Sequence, residues 1–191
     1  MKKIILASTS PRRKELLKKL GIQFTIEASD YEEDMKKKMP PSSLAKFLAL
    51  NKAKAVAKKH NSGIVIGADT FVVFGNELLG KPKNVAMARR MLKRISGKTL
   101  TVISGYAIID AKTGKKYSDY SEAKVYIKKL STKEINWYIK TKEPLDKAGA
   151  FAVQGYGAIF IKKIEGDFFS VVGLPIYSLV QALKKFSVNI I

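Results

Sequence analysis

Three features of this 191-residue chain predict an α/β protein, of mixed α+β type, with a mixed sheet and flanking helices. Helix and strand patterns alternate through its first hundred or so residues, a long antiparallel hairpin follows, and 46% of the residues are hydrophobic, enough to fill a core. One large domain over residues 1–191, or two lobes sharing a sheet, is the arrangement this length favours. A chain of this size buries roughly 70% of its unfolded surface and needs no staple. Zero cysteines exclude a disulfide scaffold, a thiolate metal site and a thiol nucleophile.

Lys3-Ile4-Ile5-Leu6-Ala7 suits a strand buried on both faces. Ser10 can cap the helix that follows, with Pro11 at its first position. Leu16, Leu17 and Leu20 then share one side before Gly21 ends it. Phe24 to Ile26 gives a second strand and Glu27 to Asp34 an acidic loop. The spacing of Leu44, Phe47, Leu48 and Ala55 predicts a helix from Ser42 or Ser43 to His60, stopped at Asn61-Ser62-Gly63. Ile64 to Ala68 reads as a buried strand ending at Asp69 and Thr70, with Phe71 to Phe74 extended into a Gly75-Asn76 turn. A helix is expected over Asn84 to Ile95, stopped by Gly97. Thr99 to Asp110 and Lys116 to Lys128 form the hairpin, turning at Lys112-Thr113-Gly114. Ser131 and Glu134 make a capping box for a helix to Lys140. Strands at Ile159 to Lys163 and Phe168 to Val172 are expected around Glu165-Gly166-Asp167, with a last helix after Pro175.

Lysine and arginine total 36 against 16 acids, a formal charge of +20 that attracts polyanions. The excess is scattered, as in Lys36 to Lys38, Lys58, Lys59, Lys115 and Lys116, which favours a solvated face over a dedicated nucleic-acid surface. Apolar runs fall short of the roughly 18 residues a membrane span requires. The run after Met1-Lys2-Lys3 is too short for a signal peptide, so a cytoplasmic protein is expected.

Ser8-Thr9-Ser10-Pro11-Arg12-Arg13 stands where a buried strand becomes a helix. Backbone N–H groups, hydroxyls and guanidiniums there suit an anion, or else cap an ordinary helix with solvated arginines. Asp69 either faces a ligand at a sheet edge or caps a turn. Gly80-Lys81-Pro82 lacks the spacing and the Ser or Thr of a phosphate loop. Asp30-Tyr31-Glu32-Glu33-Asp34 offers hard oxygens suited to Mg²⁺ or Mn²⁺, or a solvated loop. Gln154, before Gly155-Tyr156-Gly157, carries an amide able to read a base edge.

Taken together, Leu6 to Arg13, Gly67-Ala68-Asp69-Thr70, Leu79-Gly80-Lys81-Pro82, Asp146 to Ala150 and Gly173-Leu174-Pro175 resemble the Maf family of nucleoside triphosphate pyrophosphatases, over essentially the whole chain. The resemblance implies a strongly curved mixed sheet, two lobes around a cleft and a fold similar to inosine triphosphate pyrophosphatases. It also implies a cytoplasmic enzyme that releases pyrophosphate from a nucleotide and leaves the monophosphate. Arg12, Thr70 and Gln154 match the branch acting on dTTP and UTP, where the 7-methyl-GTP branch carries an aromatic residue, Gln and Glu. Phe151 and Asn51 depart from the family's frequent Tyr and Glu or Gln.

On that resemblance Asp69 is the general base, Ser8, Arg13, Lys52 and Lys81 clamp the phosphates, and Arg12, Thr70 and Gln154 set specificity. A carboxylate near pKa 3.9 is a weak base at neutral pH, so a divalent cation (Mg²⁺, Mn²⁺ or Co²⁺) is expected, with Glu33 as ligand. The partners expected are a nucleoside triphosphate and no membrane, with a homodimer left open. Two other readings compete: a basic nucleic-acid-binding module, and an interaction protein regulating cell division and septum formation.

Overall fold

In the computed structural model, which describes residues 2–32 and 39–190, β1 (Ile4–Leu6) is the centre of a parallel sheet segment. It pairs with β2 (Phe24–Ile26), Ile4 opposite Phe24, and on its other side with β3 (Ile64–Phe74), Ile4 opposite Ile64. All three β1 residues are buried, as a β-branched run covered on both faces should be. The chain runs from β1 through α1 (Pro11–Lys19) to β2, then through α2 (Pro41–Ala57) back to β3. Stepping out to one neighbour and returning to the other by right-handed crossovers sets α1 and α2 on opposite faces.

The remaining strands are β4 (Glu77–Leu79), β5 (Thr99–Asp110), β6 (Lys116–Ile127) and β7 (Ile161–Gly166). Their order is β2-β1-β3-β5-β6-β7, with β4 antiparallel to β3 and β7 antiparallel to β6. The mixed α/β class predicted from the alternating pattern is therefore the class observed. Two compact units can be distinguished: Met1–Thr70 with Ile103–Ser121 and Phe169–Ile191, and Phe71–Val102 with Glu122–Phe168. The chain of β3 passes from the first to the second after Thr70.

In the first unit, Ile5, Val65, Ala107 and Ile109 of the sheet pack with Ala49, Ala53 and Val56 of α2. Ala45, Ala49 and Ala53 recur every four residues and present a flat stripe. Opposite it stand two glycines: a Cβ on Gly67 would lie 2.3 Å from the Ala49 carbonyl oxygen, and one on Gly105 would lie 2.3 Å from the Ala45 carbonyl carbon. Helix and sheet thus meet backbone to backbone. In the second unit, α3 (Val85–Ile95) is capped by Asn84, whose side chain accepts from the Met87 N–H at 2.9 Å. The helix α4 (Thr132–Lys140) opens with the predicted Ser131/Glu134 capping box. Its Tyr138 meets Phe160 edge-to-face at 5.1 Å, and both rings are buried.

Three local expectations change. β3 is continuous from Ile64 to Phe74, so Asp69 and Thr70 sit mid-strand; buried Phe71 and Val72, with Val72 paired to Leu79, carry the ladder onward. Phe168–Val172 is a short helix, α5, instead of a strand. Its propensity is overridden because Gly173 (φ 127°) and Leu174 return their N–H groups to the Phe169 carbonyl at 3.0 and 3.1 Å, closing the turn locally. β7 starts at Ile161 because Gly155–Phe160 is wound into 3₁₀ turns. The final helix, α6 (Ile176–Lys184), follows Pro175 as expected.

Adding a methyl group at Gly67 must push α2 off β3. Gly67→Ala is expected to lose about 1–3 kcal/mol of stability in urea unfolding, the range for overpacking a core. A midpoint equal to that of the parent protein would show that the contact is not tight.

Candidate functional site

The glycine contact at β3 decides which side chains of α2 reach the sheet. Gly67 and Asp69 are two residues apart and share one face of the strand, the face toward α2. Lys52 lies next to Ala53, the residue whose backbone nitrogen a Gly67 methyl would approach to 2.9 Å. From there the Lys52 ammonium donates to Asp69 Oδ1 at 2.7 Å, with the two side chains only 12% and 10% exposed. A pair so removed from water is costly to separate, since either charge left behind would be buried alone.

Thr70 points to the opposite face, where Arg13 of α1 and Ser104 of β5 meet it. Arg13 donates from Nε to the Gly173 carbonyl at 2.9 Å, from Nη1 to Ser8 Oγ at 3.0 Å and from Nη2 to Thr70 Oγ1 at 3.1 Å. The proton directions in this network follow from counting. Ser104 Oγ lies 2.6 Å from the Ser170 carbonyl, which can only accept, so the one Ser104 proton goes there. In the 2.7 Å contact between Thr70 and Ser104 the donor must then be Thr70. The chain therefore runs Arg13 to Thr70 to Ser104 to the Ser170 carbonyl, and the 3.4 Å approach of Thr70 Oγ1 to the Gly173 oxygen is left without a proton. Ser8 Oγ accepts from Arg13 and, at 3.3 Å, from the Ser10 N–H, so its own proton is available to a ligand oxygen.

The structure thus joins Ser8, Arg13 and Thr70 in one network and Lys52 with Asp69 in another, both within the first unit. Arg12 is half-buried on the first turn of α1 and makes no hydrogen bond or ion pair among the described residues. Ser10 occupies the N-cap position, but its side chain makes no cap bond. His60 lies beyond the end of α2 and meets Glu27 Oε2 at 2.7 Å. Lys81 and Gln154 belong to the second unit. There Lys81 donates to Asp146 Oδ1 at 2.7 Å, and Lys147 approaches Oδ2 at 3.4 Å. The Lys81 hydrogen bond holds the Asp146 carboxyl below its ordinary value, while burial pulls the other way. Gln154 is half-buried and extended, directly before the Gly155–Phe160 turns.

Glu33 lies outside the described residues. Among the described residues no three acidic or histidine side chains cluster to cage a metal. The carboxylate of the candidate site is Asp69, and the hydroxyls of Ser8 and Thr70 belong to the network on the opposite face of β3. A single carboxylate fits a cation held mainly by water and substrate phosphates, the usual mode of Mg²⁺. Ser104 and the Ser170 carbonyl are neighbours of these candidates that sequence reasoning missed. The signal for Ser104 was a hydroxyl inside an otherwise buried strand, Ile103 to Asp110.

A description of the Maf-like protein family matches residues 3–186. The chain is 52% identical to the dTTP/UTP pyrophosphatase of Methanosarcina barkeri (strain Fusaro / DSM 804), over 100% of this chain and 97% of that one. It is 50% identical to the dTTP/UTP pyrophosphatase of Alkaliphilus oremlandii (strain OhILAs) over 100% of both. In fold it is similar to the Staphylococcus aureus Ham1 protein, with a TM-score of 0.51 at 13% identity, covering 84% of this chain and 80% of that one.

Ser104→Ala removes the 2.7 Å acceptor of the Thr70 proton and one donor to the Ser170 carbonyl, which keeps the Gly173 N–H at 3.0 Å. A loss of about 1–3 kcal/mol in urea unfolding is expected. An unchanged unfolding midpoint would show that the two Ser104 hydrogen bonds contribute nothing to stability.

Proposed function

Because the chain belongs to the family of Maf-like proteins, we propose that it hydrolyses dTTP and UTP to the nucleoside monophosphate and pyrophosphate. The observation that carries this reading is the full-length identity of about half with relatives bearing that name, from two different organisms. The buried Lys52–Asp69 pair gives the reading a chemical centre. Asp69 accepts the proton of the water that attacks the α-phosphorus. Lys52, at 2.7 Å, holds the carboxylate in one orientation, so little reorganisation is needed when the water arrives.

Ser8 donates its remaining proton to a phosphate oxygen, and Arg13 keeps Ser8 and Thr70 in place. Lys52, Arg13 and Lys81 supply positive charge against the roughly four negative charges of a triphosphate and the pyrophosphate that leaves. Lys81 must exchange Asp146 for phosphate to do so, which an exposed pair allows at little cost. Arg12, Thr70 and Gln154 distinguish the pyrimidine substrate from a purine by hydrogen-bonding groups that the wrong base leaves unsatisfied. With its proton committed to Ser104, Thr70 presents an acceptor rather than a donor.

Asp69 and Glu33 are the carboxylates assigned to the neighbourhood of a divalent cation, Mg²⁺, Mn²⁺ or Co²⁺. Such an ion, when bound, neutralises phosphate charge and makes water more acidic. Residues 1–191 act as one domain in this reading. No described helix is long and apolar enough to cross a membrane, and a cytoplasmic location is part of the proposal.

Incubation with a panel of nucleoside triphosphates and each of the three metals should release pyrophosphate from dTTP and UTP ahead of GTP and ATP. Asp69→Asn should lower kcat by about 10²- to 10⁴-fold, the usual scale for loss of a general base. Retention of more than a tenth of the rate in that variant would remove Asp69 from the chemistry. In the same assay Gln154→Glu should lower the UTP-to-GTP ratio of kcat/KM, and an unchanged ratio would remove Gln154 from base recognition.

A further inference from the structure

The turn that follows Gln154 is folded around a single carboxylate. Glu143 opens a 3₁₀ turn (Glu143–Asp146) and its backbone is held from both sides. Lys142 before it is left-handed at φ 61°, Pro144 after it has a fixed φ, and the Glu143 N–H donates to Thr141 Oγ1 at 3.2 Å. From this anchored position the side chain reaches into the Gly155–Phe160 segment. Oε1 accepts from the Tyr138 phenol at 2.8 Å and from the Gly157 N–H at 3.0 Å, and Oε2 accepts from the Tyr156 N–H at 2.9 Å. Two successive backbone N–H groups converging on an anion form a nest, and here the anion is supplied by the chain itself.

Both glycines after Gln154 are explained by this wrapping. Gly155 has φ 80°, and a Cβ there would lie 2.4 Å from Glu143 Oε2. A Cβ on Gly157 would lie 2.5 Å from the Tyr138 hydroxyl and 2.6 Å from the Ala152 carbonyl oxygen. Nothing larger than glycine lets the backbone come this close to the carboxylate and phenol. Tyr138 is fully buried, so the anchor is tied to the core of the second unit through α4. The Gln154 side chain makes no hydrogen bond among the described residues, so what fixes where the amide starts from is the backbone, extended at Gln154 (φ −118°, ψ 152°) and turned immediately after it.

We infer that Glu143 is a positioning residue for nucleobase recognition: its carboxylate shapes the Gly155–Gly157 turn and thereby fixes where Gln154 presents its amide. The inference rests on the proposed dTTP and UTP hydrolysis and on Gln154 as base reader. A carboxylate is required because it accepts on both oxygens. A glutamine of the same shape turns an NH₂ group toward one of these donors and loses at least one of the three bonds.

The test is steady-state hydrolysis of UTP and GTP by the full chain, with inhibition by inorganic pyrophosphate measured alongside. Glu143→Gln should lower the UTP-to-GTP ratio of kcat/KM by about tenfold or more, the scale on which an unsatisfied base-reading site loses discrimination. Its inhibition constant for pyrophosphate should stay within about twofold, a pattern that general loss of structure would not produce. Tyr138→Phe removes only one of the three bonds and should shift the ratio in the same direction by less; it decides the matter if Glu143→Gln does not fold. If Gln154→Ala changes the ratio and neither of these variants does, or if pyrophosphate binding falls in step with the ratio, the positioning role is overturned while the proposed reaction stands. If the parent protein cleaves neither UTP nor dTTP, the proposed reaction itself has failed and the inference goes with it.

Discussion

The absence of two Cβ atoms is what lets α2 bring Lys52 to Asp69 in the first unit. Gly67 and Gly105 give α2 access to the sheet backbone, at distances where a single methyl group would collide. The alanine stripe of α2 completes the fit, and Lys52 is delivered to Asp69 at 2.7 Å as a result. Close packing of small residues is usually described as a matter of stability. Here it also sets where one lysine starts, because the spacing of helix and sheet fixes how far the Lys52 side chain must extend to reach Asp69.

On the other face of β3 the constraint is a relay of hydroxyls instead of a steric fit. Arg13 at the start of α1, Thr70, Ser104 and the Ser170 carbonyl form a line in which each donor has one acceptor. The short helix α5 is needed for this line, since its backbone supplies the terminal acceptor. That explains why a segment of high strand propensity is worth holding in a helical turn. Lys52 and Arg13, two cations assigned to one substrate, are thus tethered in quite different ways, one by a carboxylate and one by neutral oxygens.

Much of this was legible in the residue pattern, and the exceptions have identifiable causes. The buried run of β1, the Pro11 start of α1, the Ser131/Glu134 box and the long hairpin carry local signals strong enough to survive in the fold. α5 did not, because its shape is decided by bonds from Gly173 and Leu174, outside the segment whose propensity was being weighed. The mid-strand position of Asp69 was hidden for a similar reason: pairing with β4, a three-residue strand, extends β3 past the point where its apolar run pauses. At the site, residue types with a recognisable motif could be named in advance. Ser104 and Glu143 could not, since a buried hydroxyl and a lone acid acquire their roles only from neighbours distant in the chain.

Asp69 and Thr70 are consecutive, yet they serve opposite sides of one strand. A slip of β3 by a single residue would therefore bring either Thr70 to the ammonium on α2 and Phe71 to the arginine on α1, or Ala68 to the ammonium and Asp69 to the arginine. In neither direction would either environment hold the group it was shaped for. Tolerance of insertions or deletions between Ile64 and Thr70 should accordingly be governed by phase as much as by length, so that one residue gained or lost harms the protein more than its small change in volume suggests.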